Sequence, residues 1–133
     1  LTTQACPRFV DFVENGVVSG QAVIDTAQEY LAPVKAAGVD TLVLGCTHYP
    51  MLAGPISYVM GPDVTLVSSA EETALDVYAQ LQATEQLRET DRPPHHVFAQ
   101  TAVGAGSENF ARLSRRFLGP TFDMTGTLPV VTA

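Results

Sequence analysis

The sequence predicts an α/β fold, a parallel sheet flanked by helices, from three observations. Helix-like and strand-like stretches alternate along the chain, the order that right-handed crossovers in a parallel sheet require. Thr41-Leu42-Val43-Leu44 is apolar without polar alternation, as a strand buried on both faces reads. Residues 23 to 34 carry an apolar stripe of helical period, so a helix able to cover that strand precedes it.

Each element has its own reason. Leu1 to Ala5, short and Thr-containing, reads as the end of a strand, and Cys6-Pro7 breaks it. Phe9, Val10, Phe12 and Val13 fit one helical turn or a packed loop, closed by the turn chemistry of Asn15-Gly16. From Ser19, a suitable N-cap, apolar residues fall at Val23, Ala27, Tyr30, Leu31 and Val34, and Gly38 sits where a left-handed residue would stop that helix. After the strand at 41–44, Pro50 disfavours helix at Tyr49, so Cys46-Thr47-His48-Tyr49-Pro50 is not regular throughout. A helix then runs to Met60 and stops at Gly61; Pro55 lacks an N–H and suits only the first turn, which leaves the start between Pro50 and Pro55 open. Val64 to Val67 is a second strand, and Ser69-Ala70-Glu71-Glu72 reads as a capping box opening the next helix. Arg88 to His96, polar and containing Pro93-Pro94, is the linker candidate. Beyond it, Val97 to Thr101 reads as a strand and Ser107 to Phe117 as a helix with Phe110, Leu113 and Phe117 on one face.

Composition excludes several classes. A chain of 133 residues that is 46% hydrophobic can bury roughly two-thirds of its unfolded surface, so disorder is a poor reading. No run approaches the roughly 18 apolar residues of a membrane span. Seven Lys and Arg against fourteen Asp and Glu give a net charge of -7, leaving no basic face for a phosphate backbone. Nine of the acids and two of the bases lie in residues 1–80, and five of each in residues 81–133; a solvated acidic surface explains that asymmetry without a ligand. Two sparse cysteines, Cys6 and Cys46, are not a disulfide framework and fit a reducing cytosol. The first residue is Leu1, with no basic-then-apolar secretory signal behind it. The chain is therefore expected to be a piece of something longer.

In open parallel α/β sheets, ligands bind beyond the carboxyl ends of the strands. Leu44-Gly45-Cys46-Thr47-His48 occupies that place. A thiol there, near the N–H groups of a following helix, is favoured toward thiolate. His48, two residues on, is near enough to exchange a proton with Cys46 or with a substrate; Thr47 offers a hydroxyl and an N–H; Gly45 lets the backbone approach a small ligand. The plain alternatives are that Cys46 is a small buried hydrophobe, that His48 is a structural hydrogen-bonder, and that Glu14 is a solvated surface acid. No metal is expected: Cys6 is remote, His95-His96 lies in the linker candidate, and nothing has zinc-site spacing. A Gly-rich phosphate loop and a nucleophile elbow are both absent from the sequence.

The string Leu42-Val43-Leu44-Gly45-Cys46-Thr47-His48-Tyr49-Pro50 resembles the second catalytic motif of bacterial glutamate racemases, cofactor-independent enzymes that supply D-glutamate for peptidoglycan. Upstream, the run from Ala5 to Gly16 (Ala-Cys-Pro-Arg-Phe-Val-Asp-Phe-Val-Glu-Asn-Gly) is similar to the family's preceding segment. Downstream, Val67 to Ala74 is similar to its following one. The three motifs stand in the family's order, the similarity covers most of the chain to about Leu118, and it resembles actinobacterial members most. His48 matches the glutamate-specific form, where related aspartate racemases typically carry Glu.

The resemblance implies that Cys46 is one of two cysteines acting on opposite faces of the substrate Cα. His48 would assist it and help bind substrate, Thr47 would bind the carboxylate or amine, and Glu14 would be the acid near that His. No cofactor is implied, and the location implied is cytoplasmic. Implied partners are glutamate, the missing N-terminal half of the same enzyme and, as one assembly, a homodimer, with neither nucleic acid nor membrane. Family members are about twice this length, with two α/β domains. Their Asp-Ser-Gly motif and first catalytic cysteine, in Ala-Cys-Asn-Thr or Ala-Cys-Asn-Ser, do not occur here. By that layout residues 1–68 are the second half of the family's second domain, and residues 69–133 return to complete its first. Because racemisation without a cofactor needs a base on one face and an acid on the other, the chain alone is expected to be inactive. Two alternatives stay open: a noncatalytic binding or regulatory domain on the same scaffold, and another amino-acid racemase of the superfamily.

Overall fold

The computed structural model describes residues 1–90, 92, 99–100, 110, 112–115, 118 and 126–127. The chain divides into two compact units, Leu1–Arg88 and Glu89–Ala133. In the first unit the order is α1 (Pro7–Glu14), α2 (Gln21–Ala36), β1 (Thr41–Leu44), a 3-10 turn (Tyr49–Leu52), α3 (Ala53–Met60), β2 (Thr65–Ser68) and α4 (Ser69–Ala83). β1 and β2 pair in parallel, Thr41 opposite Thr65 through Leu44 opposite Ser68, with the 3-10 turn and α3 as the crossover. That is the expected α/β architecture.

Alternation along a strand sends Leu42 and Leu44 to one face and Thr41 and Val43 to the other. Leu44 is buried in the core and Leu42 packs against it, but Val43 is 60% exposed. The expectation of a strand covered on both faces is therefore corrected: only the Leu42/Leu44 face is covered. The core lies on that side, built from Phe9 and Val13 of α1, Val23, Ala27, Leu31 and Val34 of α2, and Leu52, Ile56, Val59 and Met60 of the crossover. The predicted α2 stripe is observed, with Tyr30 at its partly buried rim. Thr26, outside that stripe, is buried as well because its hydroxyl donates to the Ala22 carbonyl at 2.9 Å and needs no water.

Boundaries differ in instructive ways. Leu1 to Ala5 is irregular, without the strand expected there, and Pro7 begins a full two-turn helix, since proline is tolerated at the first helical position. α2 is opened by Gly20 at φ 102°, with no side-chain cap, so Ser19 is not its N-cap. Gly38 and Gly61 are left-handed stops, at φ 67° and 98°, as the sequence predicts. The cap of α4 is Ser68, whose hydroxyl accepts the Glu71 N–H at 3.3 Å. The neighbouring Ser69 hydroxyl instead donates to the Leu44 carbonyl at 2.8 Å, tying the start of α4 to the end of β1. Lys35, in the last turn of α2, donates to the Val59 carbonyl at 2.8 Å and so holds the ends of α2 and α3 together.

In the second unit β3 (Ala99–Gln100) pairs in parallel with β4 (Gly126–Thr127). Residues 110, 112–115 and 118 are helical, with Leu113 buried. Phe117, His95-His96 and most of the linker candidate lie outside the described residues. Among those described, no helix is long and apolar enough to cross a membrane.

Candidate functional site

The site is assembled where β1 ends. β1 and β2 run in parallel and in register, so the loop after Leu44 and the start of α4 emerge side by side, joined by the Ser69 hydroxyl on Leu44. From Gly45 the chain turns through Cys46-Thr47-His48 into the 3-10 turn, where the Tyr49 N–H donates to the Cys46 carbonyl at 3.2 Å. The next α-helix begins only at Ala53. The 3-10 turn has His48 at its N-cap position, and the α-helix start at Ala53 falls within the Pro50–Pro55 interval that the sequence left open.

Three side chains form a line across this turn. His48 Nε2 lies 2.7 Å from Glu14 Oε1, and its Nδ1 lies 4.0 Å from Cys46 Sγ and 3.4 Å from Thr47 Oγ1. A carboxylate only accepts, so Nε2 carries the proton and donates to Glu14. That assignment leaves Nδ1 of the neutral ring as an acceptor facing the thiol and the Thr47 hydroxyl. Imidazole between carboxylate and thiol can take the Cys46 proton at Nδ1 while Glu14 stabilises the imidazolium. Cys46 and His48 are half-buried and Thr47 is exposed, so the thiol sits at the surface of the unit rather than in its core. All four residues singled out from the sequence and the resemblance, Glu14, Cys46, Thr47 and His48, are thus brought together.

Cys6 differs. Both cysteines are free thiols, but Cys6 is buried. Burial pushes its thiol up, with the Tyr49 hydroxyl beside it pulling partly back, so Cys6 stays a neutral thiol at working pH. The Ser69 hydroxyl donates its proton to the Leu44 carbonyl, and the Ser68 hydroxyl accepts the Glu71 N–H. Glu71 and Glu72 occupy the first turn of α4, where they already answer the positive end of its dipole. The Thr47 hydroxyl faces His48. A cavity of about 430 Å³ opens beside the turn, lined by all of β1 with Cys6, Phe9, Cys46 and Tyr49 among its walls. Its lining is predominantly apolar and excludes Thr47, His48 and Glu14, so it is not itself a pocket for a small polar anion.

Sequence reasoning missed Tyr49. Its hydroxyl accepts the Cys6 backbone N–H at 3.1 Å and its ring meets Phe9 edge-on at 5.5 Å. No spacing rule links positions 43 apart in sequence, so the pairing of Tyr49 with Cys6 left no signal.

The parallel α/β architecture of this chain is shared with solved racemases. The isoform RacE1 glutamate racemase of Bacillus anthracis superposes with a TM-score of 0.79 at 34% identity, over 96% of this chain and 45% of that one. A glutamate racemase of Francisella tularensis, solved in complex with D-glutamate, gives 0.79 at 29% identity over the same shares. Among curated sequences, the glutamate racemase of Beutenbergia cavernae is 54% identical over 100% of this chain and 50% of its own length. That of Saccharopolyspora erythraea is 57% identical over 91% and 44%. No protein-family model matches the chain. The fold is that of these solved glutamate racemases, of which the chain covers less than half. By sequence the chain matches curated actinobacterial glutamate racemases and spans about half their length.

Proposed function

We propose that this chain supplies one of two thiols to a cofactor-independent glutamate racemase. Cys46, as thiolate, takes the α-proton of one enantiomer: the C–H electron pair stays on Cα as a planar, enolate-like carbanion, and a thiol from the other half of the enzyme gives its proton to the opposite face. In the reverse direction Cys46 returns the proton. His48 accepts and returns the Cys46 proton through Nδ1, Glu14 orients and charges His48, and Thr47 binds the substrate carboxylate or amine. The observation that carries this reading is the line from Cys46 through His48 to Glu14. An α-proton is weakly acidic, so this chemistry needs a dry site with fixed donors around the developing charge.

The half-length match supports a division of labour in which residues 1–68 complete one α/β domain and residues 69–133 the other. α4 buries none of its side chains, and Leu75, Val77 and Tyr78 are 64%, 50% and 56% exposed. An apolar helix surface of that kind suits a partner domain, here the missing half. The product would be D-glutamate for peptidoglycan, made in the cytoplasm by a cell building its wall and keeping its shape.

The test joins the chain to the remaining half of the Beutenbergia cavernae relative. The joined, full-length form is expected to interconvert L- and D-glutamate in preference to D-aspartate, and the 133-residue chain alone to show no turnover. Turnover by the chain alone would overturn the two-half reading. Glutamate binding without turnover in the joined form would favour a noncatalytic domain.

A further inference from the structure

We propose that the Tyr49 hydroxyl is a positioning group for the Cys46-Thr47-His48 turn: it pins the N-terminal end of α1 to that turn, so that Glu14, at the helix's other end, meets His48. The proposal rests on the racemase reading of the site. His48 and Tyr49 are adjacent in sequence, yet they reach opposite ends of one helix. Tyr49 takes the N–H of Cys6, the residue just before Pro7, at 3.1 Å, and His48 meets Glu14, the last residue of α1, at 2.7 Å. At 1.5 Å per residue those anchor points stand about 12 Å apart along the axis. Between them Phe9 and Val13 face the core, and Phe9 packs edge-on against the Tyr49 ring. A short helix held at both ends and packed in the middle cannot slide or tilt. Without the Tyr49 bond the helix entrance is held only by the packing of Phe9 and Val13, and a small tilt there shifts the carboxylate at the other end against the imidazole.

The hydroxyl has a defined job that a phenyl ring lacks. At the helix entrance the Cys6 N–H donates to the Tyr49 hydroxyl, while the Cys6 side chain itself supplies no cap to the first turn. Burial also pushes the Tyr49 phenol up, which keeps it neutral and makes its contribution a hydrogen bond rather than a charge. The ring's packing belongs to the core, whereas the hydroxyl's bond belongs to the site.

Tyr49→Phe in the full-length form removes the hydroxyl and keeps the ring. The expected result is a fall in kcat of about tenfold, in line with the cost of misplacing a catalytic group by a fraction of an ångström to an ångström, with KM within about twofold. Adding Tyr49→Phe to Glu14→Gln is expected to cost nothing further, since both act on His48 through one helix. In the unmodified enzyme, the Cys6 amide should exchange with deuterium more slowly than its neighbour Ala5. An unchanged kcat in Tyr49→Phe, multiplying losses in the double variant, or a Cys6 amide as fast as Ala5 would each overturn the proposal. Cys46→Ala separates this from failure of the racemase reading: full turnover in that variant sinks the reading itself, whereas lost turnover there with a silent Tyr49→Phe sinks only the positioning role.

Discussion

Replacing Cys46 by Ala in the full-length form is expected to lower racemisation by about a hundredfold to ten-thousandfold in both directions, while glutamate still binds. The magnitude comes from the removal of a positioned acid/base, typically worth about 10²–10⁴-fold. Loss in both directions is required by the two-face mechanism, because the same thiol that takes the proton from one enantiomer must return it to form that enantiomer. Binding survives because Thr47 and the backbone of the turn do not depend on the sulfur. Initial rates from each enantiomer, together with a binding isotherm, check both parts. A variant that slowed one direction alone would violate the requirement that the catalysed equilibrium be unchanged, and an undiminished rate would return Cys46 to the role of a small packed residue.

Phe9→Ala carries the largest expected structural effect, a loss of about 3–5 kcal/mol. Phe9 is 1% exposed and stands between Tyr30 and Tyr49, each ring meeting it edge-on at 5.6 and 5.5 Å. Truncation removes the contact that joins α1 to both α2 and the 3-10 turn, and leaves a void where three rings met. Urea unfolding followed by tyrosine fluorescence, undisturbed because the chain has no Trp, should show a midpoint lowered by more than about 1 M. A shift of only a few tenths would mean that α1 is not fastened to the core as the ring geometry implies. Because α1 also carries Glu14, the same substitution should depress turnover more than any change of equal size on the far side of α2.

Much of the fold was legible because it depends on local patterns. Apolar runs marked β1 and β2, the 3.6-residue stripe marked α2, and Gly38 and Gly61 marked stops that need a left-handed backbone. Positional detail decided by tertiary contacts was not legible. Ser69 looked like a cap, but register with β1 turned its hydroxyl to Leu44 and passed the cap to Ser68. Thr41-Leu42-Val43-Leu44 looked buried on both faces, since an apolar run records the capacity for burial rather than the presence of a covering layer; Val43 remains exposed.

The site divides the same way. Cys46, Thr47 and His48 are neighbours in sequence, so their meeting was readable from strand and turn alone. Glu14 lies 34 positions from His48, and on composition it was indistinguishable from a surface acid; only the resemblance singled it out. Tyr49 on Cys6 left no signal of its own, because a tyrosine beside a proline is ordinary turn chemistry until the helix it touches is known.

Whether Cys46 handles the α-proton on one face only is decided by solvent deuterium exchange at Cα in the Cys46→Ala full-length form. Inversion should be lost with both enantiomers, and one enantiomer alone should still exchange its α-hydrogen without inversion, through the other thiol. Exchange retained with both enantiomers, or inversion at the unmodified rate, would show that Cys46 does not hold that role.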